Sequence, residues 1–386
     1  MSVRNPEDSS STLGVAILGV TGSIGASALR VLERHPEQFR LVAITANSNA
    51  QALREIEHRW HPAFVGMVDS RASSSVEWKC GEECLVEAAS HPDVDIVLNA
   101  VVGAAGLSAT LAALTLGRRV ALANKETLVV AGEIVMDTAR RHGGVVLPVD
   151  SEHSAILQCL GGRPTFEVRR MILTASGGPF RSWSTEQIDT ATLADALQHP
   201  TWSMGSKITV DSATLANKAL EVIEAHHLFG MSYDALEVVV HPQSIIHSFV
   251  EFIDGSMLAQ LGVPSMELPV LYALTWPERA ADTGVSPFNP VQQQQLTFEA
   301  VRHADFPMLE LGITAGRQGG AAPAVFNASN EAAVALFLES RIGFREIAAT
   351  VTKALEVLGD APGTTLDELL DADMAARAFV RTQAKR

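Results

Sequence analysis

The chain has 386 residues, enough for two or three domains, and its 47% hydrophobic against 19% charged residues can build cores, which excludes global disorder. Its 29 basic and 44 acidic side chains leave a formal charge of −15, which argues against partners such as nucleic acid or an anionic membrane. The three cysteines, Cys80, Cys84 and Cys159, are too few for a disulfide framework and point to a reducing compartment, the cytoplasm.

Residues 1–13 are polar, carry Glu7 and Asp8, and read as a tail rather than a targeting segment. Short apolar runs then follow at 13–20, 39–45, 63–68, 94–102, 119–123 and 144–149. Segments of helical period alternate with them, for example at 27–34, 108–116 and 127–141. This alternation predicts an α/β domain, a doubly wound parallel sheet of Rossmann-like type over residues 1–150. The uncharged stretch 96–117 has the length of a membrane span, but Asn99, Ser108, Thr110 and Thr115 interrupt it and glycines 103 and 106 divide it. A buried strand, a turn and a helix account for it better.

Beyond Gly161 the pattern changes to that of an α+β domain, residues 151–277. Strands are expected at 167–174 and 237–241, and a hairpin joins 244–253 to 256–260 around Asp254-Gly255. Residues 211–229 read as one amphipathic helix. The polar stretch 278–300, with its glutamine run 292–295, reads as a linker, and helical segments at 330–339, 344–358 and 365–382 predict a small C-terminal helical domain, 301–386.

Gly19-Val-Thr-Gly22-Ser-Ile-Gly25 follows the first strand and opens the first helix, where glycines let the backbone approach a pyrophosphate seated on the helix N-terminus. A plain strand-to-helix turn would use the same residues. After the second strand, Asn47-Ser48-Asn49 lacks the acidic residue that holds a ribose 2′-hydroxyl, which favours NADP over NAD. Asp150 and Glu152 close the run 144–149, two residues apart at the edge where such sheets bind ligands. Their hard oxygens suit Mg2+ or Mn2+; capping a helix is the competing role. Asn217, Lys218 and Glu221 share one helical face, adding a third carboxylate and phosphate-suited donors, or else forming a solvated face. The turn Ser176-Gly-Gly-Pro can present anion donors, and the loop His199-Pro-Thr-Trp202-Ser-Met204-Gly205 could close over a substrate. His226, His227 and His241 read as packing residues.

Taken together, Gly22-Ser-Ile-Gly25, Ala123-Asn-Lys-Glu126, Asp150-Ser-Glu-His153, Ser176-Gly-Gly-Pro-Phe180, the 199–205 loop, residues 212–221, His241-Pro-Gln-Ser-Ile-Ile-His247 and Phe326-Asn-Ala-Ser-Asn-Glu331 resemble the 1-deoxy-D-xylulose 5-phosphate reductoisomerase family. The resemblance implies a metal-assisted skeletal rearrangement of a phosphosugar followed by hydride reduction, giving 2-C-methyl-D-erythritol 4-phosphate for isoprenoid synthesis. It implies NADPH contacts from Thr21, Gly22, Ser23, Ile24, Asn47, Ser48, Asn49, Asn124, Glu126 and Gly205. It further implies one divalent cation (Mg2+ or Mn2+, with Co2+ as an alternative) on Asp150, Glu152 and Glu221. Lys125, Ser151, Glu152, Ser176, His199, Ser212, Asn217, Lys218 and Glu221 would hold the substrate, Lys125 and His199 counting among the catalytic groups. Trp202 and Met204 would form a lid, and the protein would be a homodimer. Two positions depart from better-known members: Asn47-Ser48 stands where several have Gly-Lys, and Ser206 where many have arginine. A metal-independent two-domain dehydrogenase and a non-catalytic nucleotide sensor are the competing readings.

Overall fold

The computed structural model describes residues 12–72, 78–202 and 204–383, so the polar tail expected at 1–13 falls almost wholly outside the described residues. The chain divides into two compact units, residues 1–124, 137–150 and 266–285 in one and 125–136, 151–265 and 286–386 in the other.

The first unit runs β1 (Leu13–Leu18), α1 (Ser23–Arg34), β2 (Phe39–Ala46), α2 (Ala50–Trp60), β3 (Phe64–Met67), β4 (Lys79–Cys80), α3 (Glu83–Ser90), β5 (Ile96–Asn99), α4 (Leu107–Thr115), β6 (Arg119–Leu122), α5 (Lys125–His142) and β7 (Val145–Pro148), residues 125–136 of α5 belonging to the second unit. Its seven strands pair in parallel in the order β4-β3-β2-β1-β5-β6-β7. Strands such as β1 and β5 are apolar at almost every position because helices cover both faces of such a sheet. Strand order reverses at β1, which lies between β2 and β5 and opens a crevice at the strands' C-terminal ends.

Three local expectations are corrected here. The run 94–102 is a strand only to Asn99, whose buried amide donates to the Gly106 carbonyl and to Thr110 Oγ1, both at 2.9 Å, and turns the chain away. Helix α1 begins at Ser23, not at residue 27, because the glycine turn closes directly onto its first turn. Residues 278–300 are not a free linker throughout. Asp282 is bound by Arg34 Nε at 2.7 Å, and Glu299 bridges Val240 through two main-chain bonds of 2.9 and 3.0 Å.

The second unit continues with α6 (Ser151–Leu160), β8 (Val168–Ala175), two short helices α7 (Thr185–Asp189) and α8 (Leu193–Ala196), α9 (Ser206–Thr214), α10 (Ala216–Phe229), β9 (Leu236–Val240), β10 (Ile246–Phe252) and β11 (Met257–Leu261). After α11 (Glu267–Thr275) in the first unit come α12 (Pro290–Gln293), α13 (Met308–Gln318), α14 (Ala322–Leu338), α15 (Phe344–Leu358) and α16 (Leu366–Gln383). The expected hairpin is β10–β11, in a four-stranded sheet of order β11-β10-β8-β9. The single helix expected at 211–229 is two, α9 and α10, separated by Leu215 in the left-handed region at φ 63°. Leu215 is only 3% exposed and packs in the main core of this unit, whose burial offsets the strain of a branched residue at positive φ.

That core runs through α9, α10, α13, α14 and α15, with Phe326 wholly buried in α14. Among the described residues no helix is long and apolar enough to cross a membrane. Truncating Phe326→Ala should lower unfolding free energy by about 3–5 kcal/mol, read as a shifted urea midpoint at unchanged slope.

Candidate active site

In the first unit the glycine turn is shaped by contacts that leave no room for side chains. The Gly19 amide donates to the Thr45 carbonyl at 3.0 Å, anchoring the turn to the end of β2. A Cβ on Gly25 would stand 2.5 Å from the Val20 carbonyl oxygen, so the third glycine lets α1 sit directly against the turn. Gly22 is the N-cap and no side chain caps the helix, which leaves its first amides to a ligand. Thr21, Gly22, Ser23 and Ile24 are partly or fully exposed along this turn, and Asn47, Ser48 and Asn49 are exposed at the end of β2. Asn49 also serves locally, since its side-chain oxygen caps α2 by accepting from the Ala52 amide at 3.1 Å. Asn124, 1% exposed, donates to the carbonyls of Val101 and Gly103 and so orders the turn after β5.

The second unit gathers the charged residues. Glu221 and Lys218 on α10 are 1% and 4% exposed. Lys218 Nζ donates to Glu152 Oε1 at 2.8 Å and also to Glu221. Lys125, at the start of α5, donates to Asn217 Oδ1 at 2.7 Å and lies 3.4 Å from Glu221 Oε1, while the Asn217 amide bonds the same carboxylate. Burial pushes the Lys218 ammonium down, but the two carboxylates outweigh it and hold its pKa above the ordinary value. Ser151 Oγ donates to Glu152 Oε2 at 2.5 Å. Asp150, bonded to Ser151 at the head of α6, joins Glu152 and Glu221 in a set of three carboxylates, each offering one oxygen within 4.8 Å of the others. Opposed ligands of an octahedral Mg2+ stand about 4.2 Å apart, so three hard oxygens in this span fit one such cation. Behind them His153 Nε2 lies 2.8 Å from the Glu221 main-chain oxygen and Nδ1 3.5 Å from Glu224 Oε2, a buried pair not singled out from sequence.

A second cluster forms around His199. Its Nδ1 accepts from the amides of Thr201 at 3.2 Å and Trp202 at 2.9 Å. Because two N–H groups point at Nδ1, the neutral ring carries its proton on Nε2. Nε2 lies 3.0 Å from Ser176 Oγ and 3.1 Å from Ser212 Oγ. Burial holds the His199 pKa below its ordinary value, which keeps the ring neutral. The glycine at 178 is required: at φ +66° its Cβ would meet the Ser212 carbonyl at 2.7 Å. On one continuous helix Ser212 and Asn217 would point about 140° apart, since each residue turns about 100°. The break at Leu215 frees them from that constraint.

Trp202 and Met204 are partly buried and Gly205 is the exposed N-cap of α9, while Ser203 lies outside the described residues. The Trp202 ring stands 6.5 Å from that of His247. Glu126, expected to face cofactor, has a further partner that sequence reading passed over: Lys207 Nζ lies 2.9 Å from Glu126 and 3.0 Å from Asp211. Burial would push the Glu126 carboxyl up, but Lys207 holds it below the usual range. The i,i+4 spacing of Lys207 and Asp211 was an available signal for their pairing, while nothing local pointed to Glu126.

Comparison with known proteins accounts for nearly the whole chain. Residues 15–132 match the family model of 1-deoxy-D-xylulose 5-phosphate reductoisomerase, residues 146–229 that of its C-terminal domain, and residues 261–379 that of a further DXP reductoisomerase C-terminal domain. A reductoisomerase of this name from Synechococcus sp. (strain JA-2-3B'a(2-13)) is 48% identical over 374 residues, spanning 94% of this chain and 95% of its own length. Its namesake from Gloeobacter violaceus is 48% identical over 383 residues, spanning 96% and 97%. Among solved structures, the reductoisomerase from Zymomonas mobilis in complex with NADPH superposes with a TM-score of 0.89 at 43% identity, covering 97% of this chain and 99% of that one. A DOX-P reductoisomerase in complex with NADPH, fosmidomycin and magnesium gives 0.90 at 40% identity, covering 97% and 98%. With family models matching residues 15–132, 146–229 and 261–379 and relatives 48% identical over nearly its whole length, the chain belongs to the 1-deoxy-D-xylulose 5-phosphate reductoisomerase family.

Proposed function

We propose that this protein performs the reaction of its family, converting 1-deoxy-D-xylulose 5-phosphate to 2-C-methyl-D-erythritol 4-phosphate with NADPH and one divalent cation. The observation that carries this reading is the set of three carboxylates closed in by Lys125 and Lys218. Asp150, Glu152 and Glu221 would hold the cation, which would supply Lewis-acid stabilisation of charge on substrate oxygens. The turn 19–25 with Asn47, Ser48, Asn49, Asn124, Glu126 and Gly205 would hold NADPH, which would supply the hydride. Residues 1–150 would thus serve NADPH, 151–277 metal and substrate, and 301–386 support them.

The chain's own groups do the rest. Ser176, Ser212, the Nε2 proton of His199, Asn217 and Lys218 offer hydroxyl, imidazole, amide and ammonium donors to the phosphate. Such remote binding orients the reacting carbons and contributes to the barrier reduction. Lys125, whose ammonium lies 3.4 Å from Glu221, would donate a proton to a substrate oxygen. Trp202 and Met204 would cover the bound substrate and exclude water from the intermediate aldehyde.

We further propose that the protein is a cytoplasmic homodimer. No disulfide joins the three cysteines, and burial pushes the Cys84 thiol up to about 12, the state of an inert structural thiol. β11 is an edge strand with Met257 and Leu258 43% exposed and Leu261 37%, an apolar margin that a second copy of the chain would cover.

Chelator treatment should abolish NADPH oxidation by deoxyxylulose phosphate, and added Mg2+ or Mn2+ should restore it. Glu221→Gln should lower kcat/KM on the order of a thousandfold, a few kcal/mol of transition-state stabilisation. Undiminished turnover of that variant in chelator would overturn the metal assignment. Sedimentation of wild type should give a dimer that Leu258→Glu dissociates; a monomeric wild type would refute the dimer.

A further inference from the structure

We propose that Arg71 supplies the cation that recognises the 2′-phosphate of NADPH, a role that the neutral pair Asn47-Ser48 leaves unfilled. The inference rests on the NADPH-dependent reading above and concerns which residue makes that reading selective. In a doubly wound sheet the adenosine ribose lies at the C-terminal end of the second strand. Here that end is the exposed turn 47–49, which carries amides and a hydroxyl but no charge. No carboxylate in it repels a phosphate, and none grips a free 2′-hydroxyl.

The neighbouring strand brings the missing charge to this turn. β2 and β3 pair in parallel with Ala46 opposite Met67. Their hydrogen bonding continues past both strand ends, with the Val68 amide on the Ala46 carbonyl at 2.9 Å and the Asp69 amide on the Asn47 carbonyl at 2.8 Å. The turn 69–71 therefore runs beside the turn 47–49, at the ligand-binding edge of the sheet. Arg71 is held there by Asp69, which accepts from its amide at 3.0 Å, from Nε at 3.0 Å and from Nη2 at 3.1 Å.

A guanidinium has two edges that can each take a two-pronged bond, and Asp69 occupies the Nε–Nη2 edge. The other edge faces away from the carboxylate, and the side chain is 89% exposed. Asp69 thus orients the fork at little energetic cost, since a solvent-exposed ion pair is weak and screened by water. The nearby cations are otherwise engaged: Arg54 lies over the Trp78 ring at 5.6 Å, and Lys79 pairs with Glu87 at 3.5 Å. Asn49 uses its oxygen to cap α2, so Asn47, Ser48 and the Asn49 amide nitrogen offer only neutral supplementary donors.

Equilibrium titration of the purified full chain tests this, with NADPH, NADH, 2′,5′-ADP and 5′-ADP as probes. Wild type should prefer each 2′-phosphorylated ligand over its counterpart. Arg71→Ala should weaken NADPH and 2′,5′-ADP on the order of tenfold, leaving NADH and 5′-ADP unchanged, and Arg71→Lys should recover part of the loss. An unchanged NADPH to NADH ratio in Arg71→Ala, or an equal loss for both, would overturn the proposal, as would a wild type indifferent to the 2′-phosphate. The wild-type chain should also turn over deoxyxylulose phosphate with NADPH. A wild type that binds 2′,5′-ADP through Arg71 without turning over that substrate would sink the reductoisomerase reading and leave the Arg71 assignment standing.

Discussion

Glu221 is almost fully buried, and a second carboxylate, Glu152, is bound to the same lysine. Like charges this close in a poorly hydrated interior repel strongly and would protonate unless cations stand beside them. Lys218 between the two glutamates and Lys125 on the Glu221 side meet that requirement. The same arrangement is what a divalent cation and a phosphosugar need, because anionic oxygens and ammonium donors already stand in place. Much of the second unit follows from this: α5, α6 and α10 each end or begin where one of these charges must point inward.

The substrate-side donors depend on a second constraint, the direction in which α9 and α10 present their residues. A left-handed residue is costly for leucine, and here hydrophobic burial of Leu215 sustains it. The resulting break lets Ser212 reach His199 while Asn217 and Lys218 reach the carboxylates. His199 itself is fixed in tautomer by two amides of its own loop, so the Trp202 segment and the imidazole are organised together. In the first unit the analogous constraint is contact between backbone segments, met by glycine at 25.

Much of this was legible in the amino-acid order. Near-continuous apolar strands announced the parallel sheet, and Asp254-Gly255 announced the β10–β11 hairpin. The i,i+3 and i,i+4 relations among Asn217, Lys218 and Glu221 hold on α10 as expected. The break at Leu215 was not legible, since leucine is a good helix former and only its burial makes the left-handed conformation tolerable. The early end of β5 was hidden for a similar reason: Asn99 turns the chain by bonding Gly106 and Thr110 across a fold that does not yet exist in the sequence. The pairings of Lys207 with Glu126 and of Asp69 with Asn47 join residues 81 and 22 positions apart, beyond the reach of any local period.

Sequence alone therefore determined the chemical inventory: a dinucleotide turn, three carboxylates, phosphate-suited donors and a negative overall charge that says nothing about small anions. It could do so because glycine freedom, carboxylate hardness and helical spacing are local properties. Tertiary structure decided which of those groups are buried, which lysine neutralises which acid, and which proton His199 carries. Those outcomes depend on distances between segments remote in the chain, and the strength of a charge interaction is set by the burial that only the folded protein provides.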